Sequence, residues 1–247
     1  MKSKRLTVRA RRARVTFLAA IVILAATWAR AGSAHTAGPA VTKPTQELVA
    51  LLSRHAAHSK PAAGSATLAL VRARRPITEV RTALPVLGHR TGSDGRQWLH
   101  VRLPGRPNGG TGWITRRGTV SFQTKWRLVV HTSSRRVTVY RYGRRARVFK
   151  AVVGKTSTPT PRGEFFVEES IKLPSGAVGA PFALALSARS NVLQEFDGGP
   201  GQIALHGLNN VGGTPGTAVS HGCVRLDTSA MRWLVARIGP GVPVTIS

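Results

Sequence analysis

Cys223 is the only cysteine in the 247-residue chain, and it stands in the stretch A-V-S-H-G-C-V-R-L-D, between a His-Gly pair and an arginine. A lone thiol has no internal disulfide partner, so its flanking residue types are the informative part. A thiol becomes a nucleophile once a base takes its proton, and imidazole is the usual base. His206, in A-L-H-G-L, lies upstream across the loop G-L-N-N-V-G-G-T-P-G-T-A-V, whose glycines and proline let the chain fold back toward Cys223. A base also needs a third group to fix its tautomer. Asp197 is the one acid between Phe196 and His206, so a backbone carbonyl is the better orienting group.

Gly222 lets backbone approach a substrate closely, and nearby N–H groups can stabilise an oxyanion. Arg225 offers a planar, permanently charged fork for a carboxylate. These residues together predict acyl transfer through a thiolate. A zinc site at Cys223 and His221 is disfavoured, since one cysteine without a second Cys-x-x-Cys pair does not make a usual ligand set; neither metal nor cofactor is expected.

The elements that must position these groups read as short strands. The chain carries 26 Gly and 15 Pro, with 42% hydrophobic and 6% aromatic residues, which favours a mainly β body with many turns. From residue 66 to 122, apolar alternations (TLALVRA, TEVRTALPVLG, QWLHVRLP, TGWITRRG) are separated by the turn sequences GSDGR and GRPNGG. Strands continue from Lys125 to the end. The exception is D-T-S-A-M-R-W-L-V-A-R-I-G-P-G, whose stripe of Met231, Leu234, Val235 and Ile238 with a Gly-Pro stop predicts one helix of about ten residues. Thr160, Pro161 and Gly163 read as turn formers, and Trp126, Phe165 and Trp233 as core.

The net charge is +28, and only 8 of the 37 basic residues are lysine. Such a balance points to polyanionic surroundings, with anionic cell-wall polymers as candidate partners. No finger, RNA-binding aromatic signature or zipper is present, so nucleic acid is not expected as a partner. The first 34 residues have the order of an export signal: the basic stretch MKSKRLTVRARRAR, the apolar run Val15 to Ala29, then R-A-G-S-A. Either a cleaved signal or an uncleaved anchor over residues 15–29 places the rest outside the cytoplasm, in the cell envelope, with membrane contact only through that segment. Residues 35–65 read as a flexible linker, holding at most a short helix around TQELVALLSRHA, with His35, His55 and His58 as spacer histidines.

Two family resemblances rest on these residues. H-G followed by S-H-G-C-V-R, the upstream G-K-T-S-T-P-T-P-R-G-E-F, and the closing R-L-D-T-S-A-M-R-W-L-V-A-R-I-G-P-G-V-P-V-T-I together resemble the L,D-transpeptidase (YkuD-type) catalytic domain. The stretch WLHVRLPGRPNGGTGWI resembles the bacterial Src-homology-3-like module. The resemblances imply a small β-barrel over 66–122 and a β-sandwich-like catalytic domain over 124–247 with a short C-terminal helix. They further imply peptidoglycan stem peptides as substrate, Cys223 as nucleophile and His206 as proton carrier, oriented by the Gly207 carbonyl. His221 and Gly222 would shape the oxyanion environment, Ser220 would hold the loop, and Arg225 would anchor substrate. Phe182 stands where several members carry Tyr or Trp near the donor site. Two other readings stay open at this stage: a cysteine hydrolase of wall peptides, and a non-catalytic wall-binding protein.

Overall fold

The computed structural model describes residues 42–196 and 198–247; all of them belong to one compact unit, Ala37–Ser247. The export signal and the first part of the predicted linker lie outside the described residues. The described chain is mainly β, with a single α-helix, in two large sheets and one two-stranded ribbon.

The N-terminal sheet contains β1 (Gln46–Leu51), β2 (His55–His58), β3 (Thr67–Val71), β4 (Ala83–Thr91), β5 (Gln97–Arg102), β6 (Thr111–Thr115) and β7 (Thr119–Thr124). Its order is β3-β2-β6-β5-β4-β1-β7, so β3 and β7 remain as ends. A closed small barrel over 66–122 is therefore not evident. The sheet also starts earlier than the sequence indicates. Gln46–Leu51 is a strand paired on both sides, to β4 and β7, not a linker helix. A central strand is apolar on both faces, and the run Leu48, Val49, Leu51 has no period to distinguish it from a helix. His55, read as a spacer, is buried in β2, with Nδ1 at 2.8 Å from the Ser53 carbonyl and Nε2 at 2.9 Å from that of Arg117.

The C-terminal sheet runs β10-β9-β8-β17-β12-β13-β14-β16. Its strands are β8 (Trp126–His131), β9 (Arg136–Arg141), β10 (Arg144–Lys150), β12 (Gly163–Lys172), β13 (Phe182–Arg189), β14 (Gln202–His206), β16 (Val224–Arg225) and β17 (Pro243–Ile246). β11 (Val153–Gly154) and β15 (Ala218–Ser220) form the parallel ribbon. α1 (Thr228–Val235) buries Ala230, Met231 and Leu234. Asp227 occupies its N-cap position without a side-chain capping bond, so apolar packing rather than capping fixes this helix.

β12 joins the two halves. Phe165 packs into the core of the C-terminal sheet with Leu128, Val167 and Leu184, while Phe166 faces the other way into the N-terminal core with Leu84, Leu99 and Ile114. Adjacent strand residues point to opposite faces, so one strand serves both cores. Beside it, Arg75 from the N-terminal half pairs with the buried carboxylates of Glu168 and Glu169. Thr78 donates to Glu169 from both its backbone nitrogen (2.9 Å) and its hydroxyl (2.8 Å). Arg189 supplies Glu168 with a second guanidinium at 3.2 Å; burial, with Arg106 nearby, pulls the Arg189 pKa down to about 10. Carboxylates this deep need such partners, because an unpaired buried charge is costly.

The β5–β6 loop reaches further into the C-terminal half. The Arg106 guanidinium donates to the carbonyls of Ser190 (2.9 Å), Leu193 (3.3 Å) and Pro200 (2.9 Å). Asn108 exchanges two hydrogen bonds with the Arg189 backbone, at 2.7 and 2.8 Å. One arginine thus fixes both ends of the β13–β14 connection, which forms a wall of the cleft described next.

Candidate active site

Strand parity brings the chemistry-bearing residues together. β14 and β16 pair in parallel with Leu205 opposite Val224 and His206 opposite Arg225. Leu205 and Val224 are fully buried in the core, so the neighbouring residues Ala204, His206, Cys223 and Arg225 share the opposite face. There His206, His221, Cys223 and Arg225 line one cavity of about 350 Å³. Its other walls include Ser190, Leu193 and Phe196 from the β13–β14 connection, and Val178.

Cys223 is half-buried and free. Burial pushes its thiol pKa up, against an opposing pull from the Ala204 backbone hydrogen bond and the Arg225 charge. Burial likewise holds the His206 pKa below its ordinary value, with the Gly207 hydrogen bond opposing and the Arg225 charge reinforcing that shift. At rest, the pair is therefore neutral thiol and neutral imidazole. Nδ1 of His206 lies 2.8 Å from the Gly207 carbonyl and donates its proton there, leaving Nε2 as the ring's acceptor. This places a backbone carbonyl at Nδ1, where an orienting group would stand.

Ser220, Gly207 and Gly222 stand behind the cavity rather than on its surface. The buried Ser220 hydroxyl donates to the Cys223 carbonyl (2.6 Å) and accepts from the Gly222 nitrogen (3.1 Å), closing the S-H-G-C turn on itself. Gly222 adopts φ +118°, and a Cβ there would meet Ile203 Cδ1 at 3.0 Å. Its glycine is thus demanded by both conformation and space. His221 is exposed, with its ring stacked on Phe196 at 5.7 Å between centroids.

Arg225 departs from the expected free carboxylate fork. Its side chain is buried, one nitrogen is bonded to the Gly212 carbonyl, and Nε is buried without a partner among the described residues. Packing between β14 and the loop at Gly212 holds the guanidinium close enough to bias both His206 and Cys223. Phe182 is half-buried against the C-terminal core and is not among the residues lining the cavity.

Two sets of supporting residues carried no clear sequence signal. Thr160 was read as a turn former, yet its buried hydroxyl donates to the Gly222 carbonyl (2.8 Å) and accepts from the Gly154 nitrogen (2.9 Å). Thr158 donates to the Ser220 carbonyl at 3.2 Å, so the T-P-T stretch braces the cysteine turn from below. Alternating hydroxyls flanking a proline were the available hint. Gly179, at φ +81°, packs so closely on the His206 imidazole that any Cβ would overlap it; nothing local in the sequence marks it.

Part of the chain is similar to known proteins. Residues 125–246 match the family model YkuD, the L,D-transpeptidase catalytic domain. The matched stretch, just under half of the chain, is similar to the L,D-transpeptidase catalytic domain. The YkuD proteins of Bacillus licheniformis and Bacillus subtilis, both assigned as L,D-transpeptidases, are 30% and 29% identical to this chain over 122 residues. Each match covers 49% of this chain and 66% of the relative, so just under two thirds of their length is represented. An L,D-transpeptidase from Mycobacterium smegmatis shares 20% identity with a TM-score of 0.38, covering 61% of this chain and 90% of that one. The family-model match begins at Lys125 and leaves β1 to β7 outside the matched stretch.

Proposed function

We propose that the chain is an exported peptidoglycan L,D-transpeptidase that works through Cys223. The observation that carries this reading is the shared face of β14 and β16, where His206, Cys223 and Arg225 meet in one cavity of the YkuD-type domain. Residues 1–34 serve as the export signal or anchor, and the domain acts in the cell envelope on peptide stems of the wall.

In this mechanism the stem tetrapeptide enters the cavity with the diaminopimelate L-centre carbonyl at Cys223. Nε2 of His206 takes the thiol proton as sulfur attacks, so the thiolate is generated with substrate in place rather than stored. The Gly207 carbonyl holds the ring in the required tautomer and steadies the imidazolium that forms. The backbone at His221 receives the developing oxyanion, with Gly222, its nitrogen bonded to Ser220, shaping the turn. Collapse of the tetrahedral intermediate expels D-alanine, which leaves with the proton from His206. The amine of a second stem then gives its proton to His206 and attacks the thioester; collapse of this second intermediate breaks the C–S bond, and His206 returns the proton to the Cys223 sulfur, completing the cross-link. Arg225 acts on the pair through its charge and holds the loop at Gly212.

The test is product analysis with disaccharide tetrapeptide, with and without an acceptor stem. A cross-linked dimer together with released D-alanine supports transpeptidation. Tripeptide alone, even with acceptor present, assigns a hydrolase. No turnover leaves a wall-binding protein.

A further inference from the structure

The charge of the C-terminal half is not spread evenly. Between Lys125 and Arg162 there are eleven Lys and Arg residues and no Asp or Glu. This segment builds β8, β9 and β10, which form one edge of the eight-stranded sheet with β10 outermost. Arg144, Arg145 and Arg147 on β10 and Arg136 and Arg141 on β9 are exposed. None of the five has a salt-bridge partner among the described residues; the segment's one ion pair, Arg127 with Glu164, spans 4.0 Å.

Two of these cations are held in place. The Arg141 guanidinium lies 5.6 Å from the ring centres of both Trp126 and Tyr142. That of Arg147 lies 5.5 Å from those of Phe149 and Trp233. The rings connect in turn, Trp233 meeting Trp126 and Phe149 edge-on at 5.9 and 5.7 Å. Cation–π contact at these distances is favourable and orients the guanidinium without neutralising it.

Charges on an edge strand also deter strand pairing between molecules, and the bulge between Arg145 and Arg147 serves the same end. That role does not extend to Arg136 and Arg141, which lie one strand inward. By register, Arg144 stands opposite Arg141 and Arg147 opposite Val139, so Arg141, Arg144 and Arg147 share one face of the hairpin, while Arg136 and Arg145 lie on the other. Three unneutralised guanidinium groups on one face repel one another unless an anion covers them. Eight of the eleven cations are arginine, whose fork fits the paired oxygens of phosphate. Cations spaced along and across two strands suit a linear chain better than a single anion. Tyr142 and Val148, 50% and 37% exposed, are the large apolar groups this face presents, and no wedge projects that could enter a bilayer.

We propose that the face of the β9–β10 hairpin bearing Arg141, Arg144 and Arg147 is a docking surface for an anionic wall polymer with phosphodiester groups along its backbone. It would hold the enzyme against the wall while the cleft works on peptide stems. The surface is separate from the Cys223 cavity, so either reading can fail without the other.

The experiment measures binding of the full-length chain to poly(glycerol phosphate) at two salt concentrations. It compares wild type with R141Q/R144Q/R147Q and with a charge-matched control, R96Q/R116Q/R117Q, on the N-terminal sheet. The expected result is at least about tenfold weaker binding and a shallower salt dependence for the hairpin variant alone. Turnover of soluble tetrapeptide should be unchanged in both. Equal weakening in the two variants would overturn the proposal in favour of diffuse charge. Equally tight binding of poly-γ-glutamate by wild type would remove the phosphate preference. Loss of binding to phosphatidylglycerol vesicles, with polymer binding intact, would assign the face to a membrane instead.

Discussion

Replacing Thr160 with valine removes one hydroxyl from beneath the cysteine turn while keeping nearly the same volume and branching. Thr160 is 4% exposed, and its hydroxyl serves two backbone groups, the Gly222 carbonyl and the Gly154 nitrogen. Valine leaves both without that partner. An unsatisfied buried carbonyl costs about 1–3 kcal/mol, and the lost bond to the half-buried nitrogen adds about 1 kcal/mol. The expected loss is therefore about 2–4 kcal/mol. For a protein of this size each kcal/mol lowers Tm by about 2–4 °C, giving a fall of about 5–15 °C by calorimetry or near-UV circular dichroism. The same bond fixes the peptide that precedes Cys223, so kcat should fall more steeply than substrate affinity in the folded variant. Thr160→Ser keeps the hydroxyl and should recover most of both. A T160V protein with Tm within about 1 °C of wild type and unchanged kcat would refute the view that the T-P-T stretch braces the turn.

Three further outcomes follow from the geometry. Arg75→Met leaves the buried Glu168 and Glu169 without their charged partner from the N-terminal half, a loss of about 3–5 kcal/mol; R75M/E169Q, which keeps Glu168 for Arg189, should melt closer to wild type, and a melt of R75M alone matching wild type would contradict the pairing. Arg106→Ala releases the wall at Ser190, Leu193 and Pro200, so KM for the tetrapeptide should rise about three- to tenfold with kcat little changed, and Arg106→Lys should recover part; steady-state kinetics decides. Because burial holds the His206 pKa low, the neutral base persists below the usual histidine midpoint. The acid limb of kcat/KM should therefore lie below pH 6.5, the ordinary histidine value, while the raised thiol sets no limb at neutral pH; an acid midpoint above that value would contradict the assignment.

How far the sequence could be read depended on the range of the interactions. The S-H-G-C turn, His206 and the Gly207 carbonyl were legible because they lie in two short motifs whose spacing expresses the chemistry. The mainly β character and the C-terminal helix followed from turn residues and the Met231–Leu234 stripe. Gln46–Leu51 was not legible as a strand, since its two partners lie at β4 and β7, far along the chain, and its apolar run has no alternation. Gly179 was missed because it acts through a tertiary contact on His206 that no local pattern records, and Thr160, though inside a family motif, was read as a turn former because its bond to Gly222 is tertiary too. Arg225 was assigned to substrate from its planar charged fork and the resemblance, whereas the loop at Gly212 claims part of that fork.

The most direct test of the central claim is intact-protein mass spectrometry of the chain during incubation with disaccharide tetrapeptide, followed by peptide mapping. The account predicts a transient acyl adduct, the tetrapeptide less its terminal D-alanine, on the peptide that bears Cys223, absent in Cys223→Ala. No adduct during turnover, or one that persists in Cys223→Ala, would contradict it.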